Sequence, residues 1–470
     1  MLEKFIKNRI IHALPFVPNE GQLELLDLLS LFVVSKTDFK AFVLRGYAGT
    51  GKTSIMAALV RAMQELKQSI VLLAPTGRAA KVLSRYAHTP AYTIHKYIYR
   101  QDKLGAEDFS LSYNPHRQAI FVVDEASMIS SERDNSTFGT GILLNDLIKY
   151  VYSGEGCSLL LLGDDAQLPP VGSELSPALD IDYLSGYGLN ISSYTLTQVA
   201  RQALDSGILH NATTIRNLLM QQSPLSTGST SIIYHFTTDF QEFSGADFLE
   251  LLEQSYREVG TEDTIILTRT NRRTNLYNQG VRARILWKED AISTGDRLMI
   301  SKNNYFWTQD YEDIPFLANG DMMEIVRLRN CREIYGFQFA DASLRAIDYD
   351  WEIDVILWLD TLITDSPEIN NQLHRQLFDR ISEDYPELQH NRKKLIQTIY
   401  ESPYYNALQV RFAYAVTCHK AQGGQWKRVF IDPGNIPVEE HGKNYYRWLY
   451  TAVTRATERV YLLTNLAKNK

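Results

Sequence analysis

The stretch FVLRGYAGTGKTSI, residues 42–55, decides the fold of the domain that contains it. Gly46, Gly51, Lys52 and Thr53 follow the pattern G-x4-G-K-[ST]. In this pattern backbone N–H groups surround the phosphates of a nucleotide, the lysine reaches the β and γ oxygens, and the hydroxyl binds Mg²⁺. An apolar run leads in and helix-forming residues lead out, so a strand, a loop and a helix N-terminus are expected in that order. About one or two per cent of chains this long would contain the pattern by chance. We therefore predict a phosphate-binding loop.

The composition is that of an ordinary globular protein. The chain has 470 residues, 44% of them apolar and 22% charged, with a net charge of −7. This length suggests roughly three domains. No apolar run approaches the ~20 residues of a membrane span, and the N-terminal stretch lacks a secretory leader, so we expect a cytoplasmic protein without a membrane partner. The net charge excludes a uniformly basic surface, but a local basic track is enough to bind nucleic acid.

The cysteines are too widely separated to define a site. Cys157, Cys331 and Cys418 form neither a disulfide framework nor a zinc-binding pattern. A reducing compartment is consistent with that spacing.

Apolar strand-like runs alternate with helical stretches in two regions, which predicts an α/β fold with parallel sheets. A segment rich in strand formers and turns interrupts the second region, and we expect it to form a small inserted β-barrel. Its charged stretch at 365–400 predicts a helical arm whose role no motif indicates. The expected divisions are 1–222 for the first domain with a small pin or hairpin insertion at about 97–117, 223–292 and 410–470 for the second domain, and 293–409 for the insert with its arm.

Two further motifs follow apolar strands. In AIFVVDEASM, Asp124 is predicted to hold Mg²⁺ and Glu125 to orient or deprotonate the attacking water, as neighbouring carboxylates do in P-loop enzymes. The alternative is a helix N-cap placed just after a strand. In LLLLGDDAQLPPVGSE, Gln167 can both donate and accept hydrogen bonds, which suits either a sensor of the γ-phosphate or a buried polar turn.

Taken in order along the chain, these motifs resemble those of the superfamily 1 DNA helicases. The resemblance is narrower to the superfamily 1B branch of RecD/Dda-like (Pif-like) proteins, which run 5′→3′ on single strands. It covers nearly the whole chain and is carried by GYAGTGKTS, APTGRAAKVL, TIHKYIY, VVDEASM, LLGDDAQLPPV, LTQVARQ, ILTRTNRRTNLYNQGVR, YAVTCHKAQGGQW and LYTAVTRATERVYLL. It implies two RecA-like P-loop NTPase domains with an inserted SH3-like β-barrel, and ATP and Mg²⁺ as cofactors.

The resemblance also assigns the residues of an ATP site. Lys52 and Thr53 would take phosphate and Mg²⁺, and Gln167 would couple the state of the nucleotide to the grip on DNA. Arg201 and Arg455 would neutralise the charge of the transition state in the manner of arginine fingers. Further nucleotide contacts implied by the resemblance are Gln22, which would read adenine, Gly46, Gly49, Thr50, Gly51, Ser54 and Gly424.

Two points of this assignment are open. Gln22 could instead be a solvent-facing helix residue. The chain continues Gly423-Gly424-Gln425 where family members often carry an acidic residue that is available to the ribose.

The partners implied are single-stranded DNA and junctions of single- and double-stranded DNA. Hydroxyls, amides and cations hold phosphates without reading bases, and such contacts are expected from Pro75, Thr76, His95, Lys96, Thr417, His419 and Lys420. Phe109 and Tyr113 of the pin would stack on the last base pair as a strand-separation wedge, or would pack the hairpin. The sequence names no protein partner, gives no reason to expect more than a monomer, and contains no residue that excludes RNA.

Two other classes of function, a nucleotide-switched binding protein and a nuclease, would also use parts of this sequence. A nucleotide-switched protein that binds or remodels without unwinding stays open, although the second arginine and the His-Lys pairs favour a motor. Nuclease chemistry would rest on AIDYDWEID alone. Asp348 and Asp350 there lack a following lysine at a suitable spacing, and we expect them to be exposed strand residues.

Overall fold

The computed structural model describes residues 1–101, 109–133, 138–199, 205–220, 232–311, 314, 316–364, 366–437 and 440–464. The chain forms two compact units. Unit 1 contains the described parts of 1–244 and 421–464, and unit 2 contains those of 245–420. The domain boundaries expected from the sequence stay a prediction.

Unit 1 is built on a sheet of six parallel strands in the order β3-β2-β6-β7-β1-β8. Strands β2 and β6 are apolar along their whole length, as expected where helices cover both faces of a parallel sheet. In chain order the strands are β1 (Lys40–Gly46), β2 (Ile70–Ala74), β3 (Ala91–Thr93), β6 (Ile120–Val123), β7 (Ser158–Gly163) and β8 (Asn190–Leu196).

An antiparallel pair, β4 (Tyr99–Gln101) and β5 (Phe109–Leu111), stands apart from this sheet. It lies where the pin insertion is predicted. The residues that join the two strands lie outside the described part of the chain.

The helices of unit 1 begin at recognisable caps. Asn19 and Gln22 form a reciprocal capping box at the start of α2, which satisfies two backbone donors. Leu25 and Leu29 of the same helix are fully buried in a core shared with Phe42 of β1. The helices are α1 (Leu2–Ala13), α2 (Glu20–Val34), α3 (Lys52–Glu65), α4 (Gly77–Ala87), α5 (Ile94–Ile98), α6 (Leu143–Ser153), α7 (Ile181–Ser185), α8 (Gly207–Met220) and α13 (Lys443–Val453).

Three more parallel strands of unit 1 come from distant parts of the sequence. They are β9 (Phe240–Phe243), β17 (Trp426–Asp432) and β18 (Ala456–Leu463), and β18 pairs with both of the others.

Unit 2 combines an α/β portion with a closed barrel. In the first, β10 (Thr264–Thr268) pairs in parallel with β16 (Ala415–Thr417). The strands of the barrel follow the order β11-β12-β13-β14-β15, and β15 closes it by pairing with β11. The pairing between β14 and β15 is parallel. The remaining elements are α9 (Phe248–Val259), α10 (Asn271–Arg284), β11 (Arg297–Ile300), β12 (Met322–Ile334), β13 (Phe337–Ala346), β14 (Glu352–Trp358), α11 (Pro367–Ser382), α12 (Arg392–Tyr400) and β15 (Leu408–Phe412).

The helical arm, α11 and α12, lies between β14 and β15 in the sequence and packs on the barrel. Phe339 and Trp358 of the barrel share a buried cluster with Leu377 of α11 and Ile399 of α12. His374 joins this barrel–arm cluster, with its ring centroid 4.3 Å from that of Tyr405. Amphipathic helices of this kind gain most of their stability from such packing.

The predicted fold class is confirmed. Parallel α/β sheets and a closed barrel fit two RecA-like domains with a barrel insertion. The helices of the described ranges include none long and apolar enough to cross a membrane. One expectation is wrong: Asp348 and Asp350 lie in the bend between β13 and β14 rather than in a strand, and Asp348 is 8% exposed. The bend turns the Asp348 side chain inward while Asp350 faces solvent.

Candidate functional site

The loop between β1 and α3 has a backbone that requires glycine. Gly49 and Gly51 adopt φ values of 73° and 88°, which side chains with a Cβ rarely tolerate. A Cβ on Gly51 would also lie 2.8 Å from Nε2 of Gln22. Since α3 begins at Lys52, its positive N-terminus faces the loop, which favours a bound anion.

Lys52 is held by the loop itself. Its Nζ donates to the carbonyl oxygens of Gly46 and Tyr47, the latter at 3.0 Å. Thr50, by contrast, is completely buried, and its hydroxyl donates to the Tyr47 carbonyl at 2.8 Å. The Thr50 side chain is therefore occupied within the loop, and its backbone N–H also donates to the Tyr47 carbonyl, at 3.3 Å.

Gln22 is buried, which excludes the solvent-facing alternative. It is 2% exposed, and its Nε2 donates to the Thr50 carbonyl at 3.0 Å. Its Oε1 accepts from the backbone N–H of Asn19 at 3.0 Å. Both ends of the amide are thus engaged, and Gln22 links the start of α2 to the loop.

Asp124 and Glu125 follow β6 and reach the same cavity. Burial, and then the negative charge of Glu125, raise the pKa of Asp124 to about 6. Glu125 is a non-glycine residue with a φ of 51°, a conformation that proteins retain mainly where surrounding structure enforces it. Its side chain makes no capping hydrogen bond to the short helix Ala126–Met128. The helix-cap alternative concerned Asp124, whose Oδ1 accepts from the backbone N–H of Glu125, the residue before this short helix, at 2.8 Å.

Gln167 follows β7 and is 6% exposed. Its Oε1 is buried without a hydrogen-bond partner among the residues that the structure describes. Buried polar atoms nearly always have a partner, so this side chain is not a satisfied polar turn. It retains hydrogen-bonding capacity at the wall of the cavity.

Arg455 lies just after α13 and is 3% exposed. Its Nη1 is 3.6 Å from Oε1 of Glu125 and donates to the Gly424 carbonyl at 3.3 Å. Its Nε donates to the carbonyl of Thr451 at 3.1 Å. The second predicted arginine, Arg201, lies outside the described residues.

These groups surround one cavity of about 270 Å³ within unit 1. Of the predicted nucleotide contacts, Gln22, Gly46, Thr50 and Gly424 do not line it, whereas Gly423 and Gln425, on either side of Gly424, do. A Cβ on Gly424 would meet the ring of Trp426 at 2.3 Å, so glycine is needed there for packing. Predicted residues that line the cavity are Gly49, Gly51, Lys52, Thr53, Ser54, Asp124, Glu125, Gln167 and Arg455.

The oxygens of Thr53 and Asp124 at this cavity are of the type that Mg²⁺ prefers. Across the described residues, no group of three or more His, Cys, Asp or Glu side chains could hold a metal by itself. The two oxygen donors fit the small share of protein ligands that Mg²⁺ usually takes, with phosphates and water as the others.

The predicted DNA contacts of unit 1 lie on two of its helices. Thr76 caps α4, with its Oγ1 accepting from the backbone N–H of Ala79 at 3.2 Å, and Pro75 precedes it half-buried. His95 and Lys96 lie half-buried in α5, and the His95 ring is 5.1 Å from that of Phe138. His95 is thus partly engaged in aromatic packing.

The predicted DNA contacts of unit 2 gather at the end of β16. Thr417 is half-buried at the last position of the strand, and His419 and Lys420 are exposed beyond it. Lys420 donates from Nζ to Oδ1 of Asn319 at 2.8 Å. This end of unit 2 therefore presents a hydroxyl, an imidazole and an ammonium group in sequence.

The two candidate wedge residues differ in exposure. Phe109 is 5% exposed and packs against Phe138, with ring centroids 4.8 Å apart. Tyr113 is 79% exposed. Phe109 therefore packs the hairpin, and of the two residues Tyr113 is the one whose ring is exposed.

The sequence did not identify two buried polar residues, Asp164, which lines the cavity, and Tyr450, which lies behind it. Tyr450 donates from its hydroxyl to Oδ2 of Asp164 at 2.7 Å, and the same hydroxyl accepts from the backbone N–H of Ala48 at 2.8 Å. The available signal was the tyrosine of LYTAV, in the last turns of the helix that precedes Arg455.

Comparisons with known proteins bear on the same regions. The family model for an AAA domain matches residues 32–217, and that for a UvrD-like helicase C-terminal domain matches residues 412–463. The chain is 24% identical over 500 residues to the uncharacterized protein R530 of Acanthamoeba polyphaga mimivirus, covering 91% of this chain and 96% of that one.

A second relative has a named activity. The chain is 24% identical over 457 residues to the ATP-dependent RecD2 DNA helicase of Deinococcus radiodurans, covering 94% of this chain but 48% of that one, so it spans about half the length of this relative. A solved structure of a Bacteroides Pif1 helicase in complex with ADP-AlF3 and ssDNA is 15% identical, with a TM-score of 0.46 and coverage of 96% and 94%.

Proposed function

Since the chain belongs to the Pif1/RecD-like branch of the superfamily 1B helicases, we propose that it is an ATP-dependent DNA helicase. It would translocate on single-stranded DNA in the 5′→3′ direction and couple ATP hydrolysis to strand separation. The observation that carries this proposal is the cavity of unit 1, where a phosphate-binding loop, a carboxylate pair, a glutamine and a buried arginine meet; the buried oxygen of that glutamine has no partner among the residues that the structure describes.

The roles in hydrolysis follow from the chemistry of each group. Lys52 would leave its carbonyl partners for the phosphate oxygens. Glu125 would orient the attacking water and accept its proton as the bond from the γ-phosphorus to the bridging oxygen breaks. Gln167 would hydrogen-bond the water and the γ-phosphate through its two amide atoms. Arg455 would neutralise the charge that develops on the transferring group, and Arg201 would join it there.

Mg²⁺, held by Thr53 and Asp124 together with phosphates, would supply further charge neutralisation at the transferring phosphoryl group. This assignment is supported by the oxygen donors that both residues bring to the cavity. The raised pKa of Asp124, about 6, still leaves that carboxyl largely ionised at neutral pH and therefore able to bind a cation.

The DNA contacts would come from both units. Pro75, Thr76, His95 and Lys96 would hold one stretch of the strand, and Thr417, His419 and Lys420 another, through phosphates rather than bases. Alternation between the two sets, driven by the nucleotide, would convert hydrolysis into steps. The exposed ring of Tyr113 would stack at a junction of single- and double-stranded DNA.

Steady-state ATP hydrolysis with and without single-stranded DNA tests the proposal, with Lys52→Ala as the blank. We expect strong stimulation by DNA, and unwinding of a forked duplex that requires a 5′ tail. Hydrolysis indifferent to DNA would contradict the motor and favour a nucleotide-switched binding protein. Unwinding that requires a 3′ tail would contradict only the proposed 5′→3′ direction. Stimulation by RNA in place of DNA would contradict the proposal that DNA is the substrate.

A further inference from the structure

One tyrosine hydroxyl joins two loops of the nucleotide cavity without facing the cavity itself. Tyr450 lies on α13, is 1% exposed, and is not among the described residues that line the cavity. It donates to Oδ2 of Asp164 at 2.7 Å and accepts from the backbone N–H of Ala48 at 2.8 Å. Ala48 belongs to the phosphate-binding loop, and Asp164 lies three residues before Gln167.

Both ends of this link keep their roles near neutral pH. Burial and the charge of Asp164 raise the pKa of Tyr450 well above its usual value, so the hydroxyl remains a donor. Burial raises the pKa of Asp164 only to about 6, because the charge of Lys52 and the hydrogen bond from Tyr450 oppose that rise. The second carboxylate oxygen, Oδ1, accepts from the backbone N–H of Ala166 at 3.0 Å.

Neighbouring residues hold the same loop at a second point. Thr451, the next residue on α13, accepts through Oγ1 from the backbone N–H of Leu168 at 2.9 Å. Gln422 donates from Nε2 to the carbonyl of Leu168 at 2.7 Å. Gln167 therefore lies between two anchored positions, Asp164 and Leu168, and both anchors involve the helix that precedes Arg455.

We propose that Tyr450 is a positioning residue for ATP hydrolysis. Its hydroxyl sets the phosphate-binding loop and the Gln167 loop at fixed positions relative to the helix that places Arg455. This inference rests on the proposed function, because it assigns a task to the same site. It concerns the alignment of the reacting groups rather than the affinity for ATP, since Tyr450 acts through Ala48 and Asp164.

Tyr450→Phe is the direct test, because phenylalanine keeps the ring and removes both hydrogen bonds. We expect kcat for ATP to fall by about tenfold or more, which corresponds to the loss of one well-placed interaction in the transition state. The KM for ATP should change much less. If Tyr450→Phe lowers the thermal stability but keeps the kcat of the folded protein, the inference is overturned. That result is expected when the hydroxyl has a structural role alone.

Tyr152→Phe is the matched control. Tyr152 is half-buried, and its hydroxyl donates to the Lys40 carbonyl at 2.9 Å, at the opposite end of β1 from the phosphate-binding loop. This variant should lose stability without losing kcat. An equal fall of kcat in both variants would overturn a role specific to Tyr450.

Asp164→Asn tests the link from its other end, and it also serves if Tyr450→Phe does not fold. We expect a lower kcat with little change in the KM for ATP. In the double variant the two losses should not add, because both substitutions break the same link. Full additivity would contradict the link. If the wild-type protein hydrolyses no ATP, the proposed function fails; if it does and Tyr450→Phe matches Tyr152→Phe, this inference alone fails.

Discussion

The nucleotide cavity of unit 1 and the barrel–arm cluster of unit 2 are both well buried, but the cavity contains polar side chains and the cluster contains mainly apolar ones. The cavity contains Asp164 and Arg455, which are 1% and 3% exposed, and Gln167, whose Oε1 has no hydrogen-bond partner in the described part of the chain. The barrel–arm cluster contains Phe339 and Trp358 of the barrel, both fully buried.

The two regions therefore differ in what their buried side chains contribute: hydrogen-bonding capacity in the cavity and stability in the cluster. Buried polar groups are costly unless each finds a partner, so the cavity retains hydrogen-bonding capacity at the expense of stability. Apolar rings contribute to stability by leaving water, and the polar atom of the Trp358 ring, Nε1, donates to Oδ2 of Asp360 at 3.1 Å. Substitutions should therefore separate the two regions: those in the cavity should change turnover, and those in the cluster should change the free energy of unfolding.

The largest effect is expected for Lys52→Ala. Loss of the ammonium group removes the positive charge that would neutralise the phosphates. We therefore expect hydrolysis to fall to background while the melting temperature changes little. ATP hydrolysis and circular dichroism check the two halves of this prediction. Lys36→Ala, which removes an exposed lysine, is the control. Unfolding of the Lys52→Ala variant would contradict the view that this cavity residue affects turnover rather than stability.

Glu125→Gln should slow ATP cleavage by about a thousandfold, because it removes the proton acceptor for the attacking water. ATP binding should persist, and it can be measured by calorimetry in parallel with single-turnover hydrolysis. Glu132→Gln, which neutralises an exposed carboxylate, should behave as the wild-type protein does. Loss of ATP binding in Glu125→Gln would contradict the assigned role.

Trp358→Ala should lower the free energy of unfolding by about 3–5 kcal/mol, the usual cost of a large cavity in a core. Urea denaturation followed by circular dichroism measures it, and the affinity of the folded protein for ATP should not change. Trp287 is 79% exposed, so Trp287→Ala should have little effect on stability. Equal stability of the two variants would show that the barrel–arm cluster is not what stabilises unit 2.

His374 gives the smallest effect and adds a dependence on pH. Burial, with the charge of Lys302, lowers the pKa of this imidazole to about 4, below the ~6.5 of an unfolded chain. The folded state then binds fewer protons in that interval. The contribution of His374 to stability is complete above pH 6.5 and is lost as the pH falls through the interval.

The corresponding experiment compares His374→Gln with the wild-type protein in urea at pH 7.5 and pH 5. The wild-type protein should lose about 2 kcal/mol more than the variant over that range, from the linkage of protonation to unfolding. His390→Gln removes an exposed histidine from the same arm and should leave the wild-type dependence intact. Identical pH dependence in His374→Gln and the wild-type protein would show that His374 is not buried neutral.

Some of the cavity could be predicted because its chemistry fixes residue types at fixed spacings. Lys52 and Thr53 follow a strand in a recognisable loop, and Asp124 with Glu125 ends another. The structure brings these residues and Arg455 to one cavity, although Arg455 was assigned through resemblance to a family and not through spacing. The roles of all these residues remain predictions.

Other features could not be predicted because they depend on contacts between distant residues. Nothing local indicates that Gln22 is buried, that Tyr450 reaches Ala48, or that Phe109 packs against Phe138 while Tyr113 stays exposed. The barrel was predicted from strand formers and turns, but its closure depends on pairing between β11 and β15 across more than a hundred residues. Pairings of this kind are set by tertiary packing and leave no local pattern.

The parallel pairing of β14 with β15 has an evolutionary consequence. Leu357 pairs with Leu408 and Trp358 with Gln409, so the chain leaves the barrel and returns to it at adjacent positions. The arm is thus a module whose ends already meet. Because each doubling of a loop adds only about 0.6 kcal/mol to the cost of closing it, the arm can gain or lose length over generations without shifting the register of the barrel. The one condition is that some part of it continues to cover Trp358.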